Sequence, residues 1–94
     1  LFFSSASIWE TSIKAGLGKS NFTLNPSLFY KSLLKNHYIE IKVSSLHAIG
    51  VSKLPQIHRD PFDRLFISTA RWENMTLLTN DDRLSSYGSN VEFV

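Results

Sequence analysis

Three carboxylates of this chain stand where an α/β protein does chemistry. Asp63 falls in the first turn of a helix predicted to open at Asp60-Pro61. Asp81 falls just past a short apolar strand, Thr76-Leu77-Leu78-Thr79. Glu10 falls in a strand-to-helix corner, Phe2-Phe3-Ser4-Ser5-Ala6-Ser7-Ile8-Trp9-Glu10. In open α/β sheets ligands bind outside the carboxyl ends of the strands, and hard divalent cations take carboxylate oxygens. The expectation is that Glu10, Asp63 and Asp81 converge within reach of one cation.

Each acid also has a plainer reading. An acid in a first helical turn, as at Asp63, is favoured by the helix dipole. Asp60 reads foremost as the N-cap ahead of Pro61, and only second as a residue linked to a metal. Asp81 can cap the turn that follows, with Asp82 solvated beside it. Glu10 stands three residues after Ser7, the spacing of a capping box, and this reading weighs as much as the metal one. Thr79 either orients a carboxylate or water or simply ends its strand. Glu40, Glu73 and Glu92 read as solvent-facing charges.

Other chemistries find less support. His37, His47 and His58 lack the i, i+4 spacing of a helical zinc site. His58 reads foremost as a plain loop histidine and second as a phosphate contact. Ser4, Ser5 and Ser7 do not form a nucleophile elbow. Gly16 and Gly18 precede Lys19-Ser20, but the full phosphate-loop spacing is absent. Lys14, Lys19, Arg59 and Arg64 read equally as a positive rim for a phosphate backbone and as an ordinary mixed surface.

The elements that must position these residues follow from periodicity. Residues 1–4 read as a buried strand. A helix capped by Ser7 runs to about Lys14 and stops at Gly16 or Gly18. A second helix starts at Asn25-Pro26 and runs to about Lys35. Residues 38–43 alternate as a strand, with Ile39, Ile41 and Val43 inward. Residues 45–51 form a short helix. From Asp60-Pro61 to about Asn74 runs the strongest helix, with Phe62, Leu65, Phe66, Thr69 and Ala70 as its apolar stripe. A strand at 76–79, a turn at 82–87 closed by Gly88 and a strand at 91–94 complete the chain. The order predicts an α/β fold with a mostly parallel sheet and helices on both faces.

Composition bounds the rest. Ninety-four residues make a single domain. Ten Lys and Arg against eight Asp and Glu give a formal charge of +2, which permits a polyanionic partner without demanding one. The chain has no cysteine, which removes disulfides and thiolate metal sites and fits a cytoplasmic location. No apolar run reaches the roughly 18 residues of a membrane span.

Taken together, several blocks resemble the PIN domain, and more narrowly the VapC-type toxins of toxin–antitoxin pairs. They are residues 4–10 (Ser-Ser-Ala-Ser-Ile-Trp-Glu), Ile13-Lys14, Gly18-Lys19, residues 58–65 (His-Arg-Asp-Pro-Phe-Asp-Arg-Leu), Thr79-Asn80-Asp81 and Tyr87-Gly88. The resemblance spans essentially the whole chain. It implies a three-layer αβα fold and a Mg²⁺- or Mn²⁺-dependent ribonuclease acting on RNA. It further implies inhibition by a small VapB-like antitoxin and assembly as a homodimer. By motif, Glu10, Asp63 and Asp81 match metal-binding and catalytic acids, while Asp60 and Arg64 match positions typical of the subgroup.

The resemblance begins at the family's second strand. The family's first, central strand, with the Asp that supplies its first metal ligand, has no counterpart in these 94 residues. The expectation is therefore a PIN-like domain truncated at its N-terminus. Residues upstream complete it, or the remaining strands close up, or a second copy supplies the pairing by swapping or edge association. Two functions follow: a metal-dependent endoribonuclease, or a non-catalytic, degenerate PIN module that binds antitoxin or RNA.

Overall fold

The structure, a computed structural model, describes residues 1–18, 25–79, 82–88 and 90–93, without the side chains of 82, 83, 85 and 93. They divide into two compact units, Leu1–Lys42 and Val43–Val94.

In the first unit, strand β1 (Phe2–Ser4) runs straight into helix α1 (Ser5–Gly16). Ser4 is the N-cap: its backbone is extended and its hydroxyl oxygen accepts from the Ala6 amide at 3.1 Å. This corrects the capping box expected at Ser7 and Glu10. Ser4 already serves the Ala6 amide, and the Ser7 hydroxyl donates instead to the Ser4 carbonyl. Glu10 thus sits inside the helix, away from any cap. Helix α1 ends at Gly16, as expected, and Gly18 adopts a positive φ of 64° just beyond. Helix α2 (Pro26–Lys35) starts where Asn25-Pro26 predicts, with the Asn25 carboxamide oxygen accepting from the Leu28 amide.

Strand β2 (Ile39–Ile41) lies parallel to β1, Phe3 opposite Glu40. The inward alternation expected for 38–43 does not hold. Ile39 is 57% exposed and Val43 is exposed as well. A three-residue strand in a two-stranded sheet has one neighbour, so its alternation alone does not bury a side. Phe3 is the buried anchor of this unit, with its ring edge-on to Tyr30 of α2 at 6.2 Å.

In the second unit, helix α3 (Ser45–Gly50) leads through a 3₁₀ turn (Val51–Lys53) and a loop to helix α4 (Pro61–Trp72). Strand β3 (Leu77–Thr79) and strand β4 (Val91–Phe93) pair in parallel, joined through a second 3₁₀ turn (Asp82–Tyr87). Asp60 caps α4, its Oδ1 accepting from the Phe62 and Asp63 amides, and Pro61 fills the first position. The helix closes at Asn74, whose φ of 55° lets the Met75 amide reach back to the Ala70 carbonyl; asparagine is the usual substitute for glycine there.

The expected stripe on α4 is shifted. Phe62, Leu65 and Phe66 are only partly buried, whereas Arg64, Ile67, Ser68, Thr69 and Ala70 are buried, and Ile67 is fully enclosed. The core of this unit is Leu54, Ile67, Leu84 and Tyr87, with Leu77 and Val91 packed against it. The shift arises because α4 is covered on two sides, by α3 and by β3 with the turn beyond it. A single apolar stripe describes a helix with one covered face.

The four strands confirm the expected α/β class and parallel pairing. Among the described residues they form two two-stranded sheets, β1–β2 and β3–β4, rather than one closed-up sheet. Among the described residues no helix is long and apolar enough to cross a membrane.

Helix α3 is six residues long and would not form by itself. A capping box holds it: the Ser44 hydroxyl oxygen accepts from the His47 amide, and the His47 Nδ1 accepts from the Ser44 amide. With Nδ1 an acceptor, the Nε2–H of the buried His47 donates to Glu73 at 2.8 Å. The Ser68 hydroxyl then donates to the His47 carbonyl at 2.6 Å, latching α4 to α3. Gly50 makes this approach possible: a Cβ there would stand 2.4 Å from the Ser68 hydroxyl oxygen. Gly50→Ala is expected to destabilise by about 1–3 kcal/mol, the usual cost of overfilling a packed interior. Denaturant unfolding measures this. Gly50→Ala with Ser68→Ala should recover part of the loss, because the obstructing oxygen is gone.

Candidate metal centre

The site is built on the entry to α4. The same turn that makes Asp60 a cap brings Asp63 round to face the incoming loop. There His58 meets it, Nε2–H donating to Asp63 Oδ2 at 2.9 Å. The side chains of His58 and Asp63 are 12% and 28% exposed, so the pair sits at the edge of the interior, open to a ligand. One ligand atom from each of His58, Asp60 and Asp63 falls within 4.8 Å of the other two. Carboxylate oxygens so close together suit a hard divalent cation such as Mg²⁺ or Mn²⁺.

Sequence reading missed the contact between His58 and Asp63. The signal for it was the five-residue spacing onto a helix capped at Asp60, but that spacing means nothing until the loop path is known. Buried side chains set the path. The His58 amide donates to the Tyr87 phenol oxygen at 2.8 Å. The His58 carbonyl accepts from Arg64 Nη1 at 3.3 Å. Arg64 also donates to the Pro55 carbonyl at 2.9 Å, the Val51 carbonyl at 3.0 Å and the Tyr87 phenol oxygen at 3.3 Å.

Arg64 is 7% exposed. It does not join a solvent-facing positive rim; its guanidinium is directed into the loop. Arg59 is exposed, and Lys14 lies 3.9 Å from Glu10 along α1. Lys19 lies outside the described residues.

The remaining predicted ligands lie elsewhere. Glu10 is on α1 in the first unit, partly exposed. Thr79 ends β3, opposite Phe93 of β4. Asp81 lies outside the described residues.

The family model of the PIN domain matches residues 1–90, across both units. The chain belongs to the PIN-domain family. PIN domains generally depend on a divalent metal, and the carboxylates at the entry to α4 fit one. Comparison with curated proteins and with solved structures gives no match.

Arg64→Met keeps most of the side-chain volume but removes the donor that the Pro55 and His58 carbonyls share, while the Val51 carbonyl keeps the Leu54 amide and the Tyr87 phenol oxygen keeps the His58 amide. It is expected to cost about 2–4 kcal/mol, since partly buried acceptors that lose a charged donor are expensive. Arg64→Lys should recover only part, because one ammonium does not span the positions reached by a planar fork. Tyr87→Phe should cost about 1–2 kcal/mol by leaving the His58 amide unpaired. Urea midpoints at constant slope are the measurement.

Proposed function

We propose that this chain is a metal-dependent endoribonuclease of the VapC toxin type, with Glu10, Asp63 and Asp81 as the acids that hold Mg²⁺ or Mn²⁺. The observation that carries the reading is the PIN match over residues 1–90 joined to the carboxylates gathered at the entry to α4. The convergence of Glu10 and Asp81 on Asp63 belongs to the proposal. So do the RNA substrate, the VapB-like antitoxin, the homodimer and a cytoplasmic location, all of which rest on the motif resemblance.

The chain's own residues supply placement and charge. Asp60 fixes the first turn of α4, which sets the direction of Asp63. Arg59 is exposed just ahead of the helix, and in this reading it meets a phosphate of the substrate backbone. When bound, the cation would orient and acidify water and stabilise charge at the scissile phosphate. Thr79, two residues before Asp81, is proposed to orient that carboxylate or a water.

Calorimetry with Mn²⁺ tests the metal, and cleavage of structured RNA tests the activity. Asp63→Asn and Asp81→Asn are each expected to abolish Mn²⁺ binding. Each should slow cleavage by about 100-fold or more, equivalent to about 2.7 kcal/mol of transition-state stabilisation. EDTA should stop cleavage and added Mn²⁺ restore it. Mn²⁺ binding without cleavage of any RNA would instead favour the degenerate module that binds antitoxin or RNA.

A further inference from the structure

His58 has a defined position at both ends of its backbone. Its amide is held by the phenol oxygen of Tyr87, which is itself buried. Its carbonyl is held by Arg64, one residue beyond Asp63 on the same helix. A histidine that merely filled a loop would not need its backbone gripped from both a helix and a distant turn. The consequence of that grip is the direction of the ring, whose Nε2–H meets Asp63 Oδ2 at 2.9 Å.

A carboxylate on a short side chain rotates freely about its terminal torsion. With Oδ2 tied to an imidazole, the plane of the Asp63 carboxylate is fixed. Metal sites commonly gain affinity from a neighbour that orients a ligand by hydrogen bonding. We infer that His58 is the positioning residue of Asp63, holding its carboxylate in the orientation that takes the cation, and that Tyr87 and Arg64 hold His58 for this purpose. The inference rests on the metal reading proposed above and adds to it a residue outside the predicted acids.

The role is carried by an N–H at one place, so the matched pair His58→Gln and His58→Met tests it. The two replacements are alike in length and volume. Only Gln brings a donor, and neither disturbs the backbone contacts to Tyr87 and Arg64. Mn²⁺ affinity by calorimetry and the unfolding midpoint of the metal-free protein are measured for both, beside wild type and Asp63→Asn.

The expected result is similar metal-free stability for the pair. Mn²⁺ affinity should stay near wild type in His58→Gln and fall about tenfold in His58→Met, the scale of an orienting contact. Equal affinities for the pair, whether both like wild type or both weak, would overturn the positioning role. Equal binding by wild type and Asp63→Asn, or no binding by wild type, would overturn the metal reading itself and this inference with it.

Discussion

A guanidinium inside the second unit organises the entry to α4. Arg64 is buried, and among the described residues its acceptors are neutral: three backbone carbonyls and a phenol oxygen. Burying a charge is costly unless its hydrogen bonds are made. That cost turns into a geometric demand. The 3₁₀ turn and the loop from it to α4 must bring their carbonyls to the fork, or the charge is stranded. Because the fork is planar and rigid, the carbonyls of Val51, Pro55 and His58 are held in one arrangement.

The adjacency of Asp63 and Arg64 on α4 gives the motif its sense. Successive helical residues point about 100° apart. Arg64 turns inward to grip the loop, while Asp63 stays at the edge of the interior and meets what the loop presents. Tyr87 closes the arrangement from the far side, taking both the His58 amide and Arg64 on one oxygen. The Tyr87 carbonyl in turn accepts from Arg71, about two turns further along the same helix. One helix therefore positions an acid, a loop and the following turn together.

Beneath this lies a polar latch rather than a broad apolar seam. His47 is buried with both ring nitrogens used, one by its own helix start and one by Glu73. Its carbonyl takes the Ser68 hydroxyl. Glu73 shows why an acid at a helix end is easily misread. From sequence it is a solvated charge; in the structure it is the partner of a buried imidazole. Among the described residues every buried side-chain nitrogen and oxygen has a partner, as a low-dielectric interior requires.

Local chemistry was written in the sequence. Asn25-Pro26 and Asp60-Pro61 set two helix starts, Asn74 set one helix end, and the β-α order set parallel pairing, because caps and chain breakers act within a few residues of themselves. The blocks around Glu10 and from His58 to Leu65 also carried the family. Three things were decided only by tertiary contact. Ser4 displaced Ser7 as the cap because β1, paired with β2 as far as Ser4, enters the helix without a loop. The buried face of α4 moved to Arg64, Ile67 and Ser68 because two elements cover it. His58 came to Asp63 because Arg64 and Tyr87 bend the loop towards the helix. A sequence lists which groups can bond over short spans, but a buried charge chooses its acceptors only once the chain has brought them near.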